Sequence, residues 1–114
     1  MNEINRLQKW YKSQCDGDWE QQHGISIRTC DNPGWWVKVD LEGTPLESKS
    51  FASVARNTSP EQIERIAKGL EPDKCDRGPD WMLCEVKNKV FDGAGDPGKL
   101  QIILETFLSW AKEK

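Results

Sequence analysis

The sequence lacks several features that would indicate a function directly. It has only one histidine, and its 16 lysines and arginines form no basic run. A net charge of −3 without a concentrated positive patch argues against direct nucleic-acid binding. No stretch approaches the roughly 18 consecutive apolar residues that indicate a membrane-spanning helix. Residues 1–12 are charged throughout and lack the apolar segment of a signal peptide. We therefore expect a cytoplasmic protein that binds neither nucleic acid nor membrane.

The spacing of metal ligands is also missing. The four cysteines, at positions 15, 30, 75 and 84, never form the short pairs typical of zinc sites. Cys15, Asp16, Asp18 and His23 could converge on an ion, but each also fits a structural or surface role. A calcium loop that begins at Asp16 would lack the glycine required at its sixth position. We expect no metal and no cofactor.

No catalytic nucleophile stands out either. The cytoplasmic compartment favours free thiols, although an even number of cysteines would also allow two disulfides. A Cys–His pair with His23 is conceivable, yet no recognisable nucleophile loop surrounds any cysteine. The Gly93-Ala94-Gly95 segment resembles a phosphate-binding turn, but the acidic residues on both sides of it would repel phosphate. We interpret that segment as a strand-to-helix connection and expect no enzymatic activity.

The clearest local structure is a hairpin. Apolar and polar residues alternate over residues 24–30 and again over 35–42, with the turn formers Asp31-Asn32-Pro33-Gly34 between them. Such a pattern is typical of two antiparallel strands with one buried face. Trp35, Val37, Val39 and Leu41 are predicted to face the core. The opposite face would carry Trp36, Lys38 and Asp40.

Apolar periodicity predicts helices at both ends of the chain. Residues 3–14 form the first, capped by Asn2, with Ile4, Leu7 and Tyr11 in its apolar stripe. The last follows Asp96 as cap and Pro97 as first residue. Its apolar positions, the strongest helical pattern in the chain, are Leu100, Ile103, Leu104, Phe107, Leu108 and Ala111.

The segments between these elements complete the prediction. We expect a third strand over about 49–56 with Phe51 and Val54 turned inward, a short helix from Ser59 to Gly69, a breaker-rich loop over 71–80 and a last strand over 81–91. Together they predict one α+β domain over residues 1–114. Its small antiparallel sheet has about four strands in a meander-like order, flanked by the N-terminal helix and the long amphipathic C-terminal helix.

Acidic residues clustered with tryptophan provide the candidate binding surface. Asp16, Asp18, Trp19 and Glu20 lie together where the first helix ends. The set is completed by Asp31 at the hairpin tip and by Trp36 and Asp40 on the outer face of the hairpin. Aromatic anchors ringed by charge are typical of binding surfaces, and acidic groups accelerate association with basic partners. The alternative is that the six tryptophans belong to the core and the carboxylates to an ordinary solvated surface.

These residues resemble a known family. The most specific segments are Cys15–Glu20 (CDGDWE) and Asp31–Trp35 (DNPGW). The other segments, in the order of the chain, are Leu7–Tyr11, His23-Gly24-Ile25, Asp80-Trp81 with Cys84, Phe91–Gly95 and Phe107–Trp110. Together they are similar to the immunity protein 53 family of bacterial polymorphic toxin systems, from about residue 4 to residue 112. Residues 54–79 show no match to the family pattern and are interpreted as a possible insertion that contains the short helix.

The resemblance implies a cytoplasmic antidote that binds a cognate toxin domain and neutralises it by occlusion. Many such toxins are nucleases with basic substrate grooves, for which an acidic antidote surface would be electrostatically complementary. Two alternatives stay open. One is a general protein–protein adaptor with the same surface, and the other is a small thiol-dependent enzyme that uses Cys84 or Cys30.

Overall fold

The computed structural model describes residues 2–30, 33–56 and 80–112. Within these ranges the helices are α1 (Glu3–Gln14), α2 (Trp19–Gln22) and α3 (Leu100–Lys112). The strands are β1 (Ile25–Cys30), β2 (Gly34–Asp40), β3 (Val54–Arg56), β4 (Met82–Lys87) and β5 (Val90–Gly95). The predicted helix from Ser59 to Gly69, together with Asp31 and Cys75, lies outside the described residues.

All five strands form one antiparallel sheet in the order β1-β2-β5-β4-β3. The predicted α+β class is thereby confirmed, with five strands in place of about four. The order differs from a simple meander because β5 inserts between β2 and β4. Among the strands of the described ranges, the two edges of the sheet are therefore β1 on one side and the three-residue β3 on the other.

The predicted single strand over 81–91 is wrong, because the chain reverses within it. Asn88 and Lys89 have positive φ angles of 54° and 62° and join β4 to β5. Two positive φ angles are the signature of the tight hairpin turn that matches strand twist. Asn-Lys is a weaker signal than Asn-Gly, which explains why the pattern was missed. Gly93-Ala94-Gly95, predicted as a connection, is a part of β5 in the middle of the sheet.

The core lies between one face of the sheet and the helices α1 and α3. It is built from side chains that are less than a tenth exposed, chiefly Leu7, Val37, Val39, Leu41, Met82, Cys84, Phe91, Ile103, Leu104, Phe107 and Leu108. The predicted inward face of the hairpin is confirmed, because Val37, Val39 and Leu41 are fully buried. The apolar stripe predicted for the last helix also faces this core.

The first helix matches its predicted bounds, and the Asn2 side chain accepts a hydrogen bond from the Asn5 N–H at 2.7 Å. Its apolar stripe was only partly predicted. Leu7 is buried, but Ile4 is 59% and Tyr11 is 36% exposed. The helix instead contacts α3 through Trp10, whose ring lies 5.0 Å from that of Phe107. The buried side of α1 is thus rotated away from Ile4 and Tyr11.

Two further boundaries differ from the predictions. The last helix begins at Leu100 because residues 96–99 form a separate turn, closed by a hydrogen bond from the Lys99 N–H to the Asp96 carbonyl. The third strand is limited to Val54–Arg56. Phe51 precedes that strand but packs on the core as predicted, whereas Val54 is 38% exposed. Among the described helices, none combines the length and apolarity needed to cross a membrane.

Candidate functional site

The loop between α1 and α2 holds the acidic residues in fixed positions. One carboxylate oxygen of Asp16 accepts hydrogen bonds from the backbone N–H groups of Trp19 and Asp18, both at 2.9 Å. These bonds favour the ionised form and hold the pKa of Asp16 below its ordinary value. The carboxylate therefore closes the start of α2 in the manner of a helix N-cap.

Glu20 completes this arrangement from the opposite direction. Its two carboxylate oxygens accept hydrogen bonds from the N–H groups of Asp16 at 3.0 Å and Gly17 at 2.8 Å. Gly17 has a φ of 99°, a conformation that side-chain-bearing residues rarely adopt. Asp18 is exposed beside these two carboxylates. The three negative charges are thus displayed by a loop whose backbone is held by its own side chains. The four-residue helix α2, which follows this loop, was not predicted from the sequence pattern.

Trp19 anchors this acidic loop to the body of the protein. Its side chain is only 6% exposed, and its indole N–H donates to the Glu42 carbonyl at 2.8 Å. Its ring also contacts those of Trp10 and Tyr11 edge-on, at 6.2 Å and 6.0 Å between centroids. Of the two interpretations given for this tryptophan, the structure supports the core one.

Replacing Trp19 with phenylalanine should cost about 1–2 kcal/mol of unfolding free energy. The ring contacts are largely kept, but the partly buried Glu42 carbonyl loses its donor. Urea unfolding followed by tryptophan fluorescence measures this cost. Trp35→Phe is the matched control, because the bond from Trp35 to the Pro97 carbonyl is solvent-exposed and its loss should matter less. Equal costs for the two variants would contradict the assigned anchoring role.

Asp40 joins the acidic region from the end of β2. Its carboxylate accepts a hydrogen bond from the Gly24 N–H at 2.9 Å and lies 3.9 Å from Nδ1 of His23. The His23 ring in turn lies 5.8 Å from that of Trp19. The structure therefore brings Asp16, Asp18, Trp19, Glu20 and Asp40 to one end of the molecule. Asp31 cannot be placed, since it lies outside the described residues.

Trp36 lies elsewhere, on the sheet face opposite the helices. It is 6% exposed, and its indole N–H donates to an Asp92 carboxylate oxygen at 2.8 Å. The Lys38 ammonium and the Arg28 guanidinium lie 5.0 Å and 5.6 Å from its ring centre, within cation–π distance. The structure therefore places Trp36 in a small buried cluster with Trp81, Leu83 and Ala94, as an inner side chain of this face.

Two buried carboxylates accompany Trp36 and were missed in the sequence. Asp92 is 7% exposed, and burial raises its pKa to about 6 although the hydrogen bond from Trp36 acts against this. Glu85 lies directly across from it on β4, and burial raises its pKa as well. Because Asp92 was assigned to a connection, the alternation that places both acids on one sheet face was not seen.

A buried lysine holds the start of α3 to the start of β4. The Lys99 ammonium lies 2.5 Å from an Asp80 carboxylate oxygen and 2.7 Å from one of Asp96. Asp96 also accepts a hydrogen bond from the Trp81 N–H at 3.0 Å. Asp96 was predicted as a helix cap. Its carboxylate instead accepts hydrogen bonds from the Gly98 N–H, within the turn, and from the Trp81 N–H, next to β4. These contacts indicate that Asp80, Asp96 and Lys99 have a structural role.

Cys84, one of the two thiols considered for a thiol-dependent enzyme, lacks the properties of a nucleophile. Cys15 and Cys84 are free thiols, and Cys84 is completely buried. Burial raises the pKa of the Cys84 thiol to about 12, whereas a nucleophilic cysteine needs a lowered pKa. Over residues 2–30, 33–56 and 80–112, no three His, Cys, Asp or Glu side chains are placed to hold a metal ion.

An open apolar groove of about 430 Å³ runs between α1 and β1. It is lined by Ile4, Leu7, Gln8, Tyr11, Gly24, Ile25 and Ile27. Ile4, Tyr11 and Ile27 are among the most exposed large apolar side chains in the described structure. Ile4 and Tyr11 were predicted to face the core, so the groove was missed. The groove could have been inferred from α1 itself, because this helix has more apolar residues than its contact with α3 can cover.

Comparison with known proteins identifies the family. The model of immunity protein 53 matches residues 4–112 of the chain. The chain belongs to the immunity protein 53 family. Comparisons with curated proteins and with solved structures found no match.

Family membership confirms the resemblance seen in the sequence and supports an immunity function. It implies a non-enzymatic role, and it suggests a protein as the partner of the chain. The match also runs across residues 54–79, which the sequence comparison had left unassigned. The interpretation of that segment as an insertion within a single domain stays a prediction.

Proposed function

We propose that this member of the immunity protein 53 family is a cytoplasmic antidote that binds a cognate polymorphic toxin domain and blocks its active surface. The toxin proposed is a nuclease or another enzyme with a basic substrate groove. The chain acts by occupying that groove and carries out no chemistry itself. The observation that carries this proposal is the rigid acidic loop described above, displayed by a chain of the immunity protein 53 family.

The acidic end of the molecule is suited to this role on electrostatic grounds. Asp16, Asp18 and Glu20 lie together there, with Asp40 linked to them through His23 and Trp19. Hydrogen bonds from backbone N–H groups hold the carboxylates of Asp16, Glu20 and Asp40 in place before a partner arrives. Fixed charges of one sign attract a basic partner and raise the association rate. Trp19 contributes by supporting the loop from below, and its burial excludes it as an exposed anchor in this conformation. Asp31 and Trp36 have no part in this surface as proposed.

Removing the three loop charges should weaken toxin binding about tenfold at low salt, mostly through the association rate. The suitable variant is Asp16→Asn, Asp18→Asn and Glu20→Gln combined. An amide oxygen at position 16 can keep both bonds from the Asp18 and Trp19 N–H groups, and an amide at position 20 keeps one of its two bonds. Alanine replacements would instead remove the cap of α2 and confound binding with folding. Surface plasmon resonance at several salt concentrations measures the rates. The difference between wild type and variant should shrink as salt rises.

Co-expression of the chain with toxin domains encoded beside its gene tests the function itself. Rescue of growth and co-purification with one toxin are the expected results. The control for the charge variant is Glu105→Gln, a neutralised carboxylate on α3 away from the loop. If the triple variant folds and binds with unchanged rates at low salt, the acidic loop has no role in recognition. Failure of the wild-type chain to neutralise any neighbouring toxin would contradict the immunity mechanism.

A further inference from the structure

Strand β1 is an open edge of the sheet. Among the described residues it pairs only with β2, and four of its six residues, Ser26 to Thr29, are exposed. An exposed edge presents a row of unpaired backbone N–H and C=O groups, which can accept another strand. The opposite edge, β3, has only three residues. The longer edge is therefore the better template for an added strand.

The hydrogen-bonding register shows which groups of β1 face outward. The Asp40 N–H donates to the Gly24 carbonyl at 3.1 Å, so these two residues form a hydrogen-bonded pair. In an antiparallel ladder such pairs alternate with pairs that do not bond to each other. Ser26 and Arg28 therefore bond to β2. The backbone groups of Ile27 and Thr29 point away from it, toward solvent.

The side chains beside this edge are apolar. In β1, the residues whose backbone groups point away from β2 have their side chains on the face that the helices cover. Two of these side chains, Ile25 and Ile27, line the groove against α1. The Ile27 side chain is 39% exposed there. An added strand would gain main-chain hydrogen bonds from the edge and a pocket for alternate apolar side chains from the groove.

Charge selects the partner at one end of the groove. Gly24 lines the groove, and its N–H is bound by the Asp40 carboxylate, which is 37% exposed. Tyr11 lines the groove as well, and the pKa of its hydroxyl is raised chiefly by the neighbouring Cys15 thiol, with the smallest contribution from Glu20. A basic side chain at this end would meet the Asp40 carboxylate. Two of the three basic residues of α1, Arg6 and Lys9, instead line a separate pocket beside Leu108 and Lys112.

We propose that the outer edge of β1 and the adjacent α1 groove receive an extended segment of the toxin, which adds a sixth strand to the sheet. The segment alternates apolar residues that fill the groove with polar ones, and it carries a lysine or arginine where it passes Asp40. This inference rests on the proposed antidote function and specifies the surface through which it acts.

Amide hydrogen exchange followed by NMR tests the added strand residue by residue. In the free chain, Ser26 and Arg28 should exchange slowly and Ile27 and Thr29 rapidly, because only the first two donate to β2. In the complex with the neighbouring-gene toxin that the chain neutralises, Ile27 and Thr29 should slow by about tenfold or more and the alternation should disappear. Rapid exchange at Ile27 and Thr29 in the complex would overturn the inference.

Two substitutions test the groove and the edge separately. Ile27→Lys should weaken toxin binding at least about tenfold, since it places a charge in the apolar groove. Its matched control is Ile102→Lys on α3, a position of nearly equal exposure at 40%, which should bind like wild type. Thr29→Pro removes one outward N–H without removing a bond to β2 and should also weaken binding. Full binding by both folded variants would overturn the inference.

The outcomes separate this inference from the function on which it rests. Growth rescue by the wild-type chain with unaltered exchange on β1 would leave the antidote function in place and remove the edge as its surface. Pairing of β1 between two copies of the chain would slow Ile27 and Thr29 without toxin, and sedimentation would then show a dimer. That result would also overturn the inference. Absence of binding to every neighbouring toxin would overturn both proposals.

Discussion

Replacing Gly93 with valine is expected to destabilise the fold by at least about 3 kcal/mol. Gly93 lies in the middle of β5, on the face that α3 covers. A Cβ atom there would lie 2.6 Å from Cγ2 of Ile103 and 3.2 Å from the ring of Phe91. Both neighbours are completely buried, so neither side chain can move aside without displacing others. The helix would have to move away from the sheet.

Chemical denaturation of purified variants measures this effect. Gly24→Ala is the control, because a Cβ atom at Gly24 meets nothing within 4 Å and should change stability by less than about 0.5 kcal/mol. Gly93→Ala should fall between the two. A Gly93→Val protein as stable as wild type would show that α3 does not pack against β5 as described.

The same glycine shows why part of the fold could not be predicted from the sequence. Glycine is a poor strand former, so Gly93 and Gly95 indicated a connection by local preference. The close approach of α3 requires residues without side chains at these positions. This contact joins two separate elements, so local sequence preference does not reveal it. Tertiary packing therefore outweighs strand propensity in β5. The helices α1 and α3 were predictable because their apolar periodicity and caps are local.

The candidate site was predictable to a similar degree. The grouping of Asp16, Asp18 and Glu20 follows from their adjacency in the chain, and the structure adds their bonding. The burial of Trp19 and Trp36 could not be decided from sequence, since tryptophan serves cores and surfaces equally well. Their indole N–H groups donate to Glu42 and Asp92. These contacts join segments far apart in the sequence, and they allow both tryptophans to be buried.

Asp92→Asn is expected to stabilise the protein at pH 8 by about 2 kcal/mol and to have little effect near pH 4. Burial raises the pKa of Asp92 from 3.8 to about 6. Between these pH values the folded chain holds a proton that the unfolded chain has released. The unfolding free energy contributed by this group therefore falls as pH rises through that window, and it stays low above pH 6. At 1.36 kcal/mol per pKa unit, the full loss would be about 3 kcal/mol.

The amide of the Asp92→Asn variant can keep the native contacts of the carboxylate with Trp36 and Glu85. Its oxygen can accept the hydrogen bond that the Trp36 indole now donates to Asp92 at 2.8 Å, and its NH₂ group can face Glu85 across the strand pair. The charge that burial disfavours is gone. Asp92→Ala would not be equivalent, because it would leave the buried Trp36 indole N–H without an acceptor. The gain expected at pH 8 is set below the full loss because the amide is not equivalent to the protonated carboxyl, since its NH₂ group also has to be desolvated.

Thermal and urea unfolding of both proteins from pH 4 to pH 8 gives the required curves. The difference between them is the informative quantity, because Asp16 and Asp96 have lowered pKa values and lose stability as pH falls in both proteins. That difference should rise between about pH 4 and pH 6 and then level off. Asp18→Asn, which removes one negative charge from an exposed position, is the matched control for the change in net charge. A pH-independent difference for Asp92→Asn would mean that the carboxylate is already ionised at little cost. The outer sheet face around Trp36 would then be far more hydrated than its burial indicates.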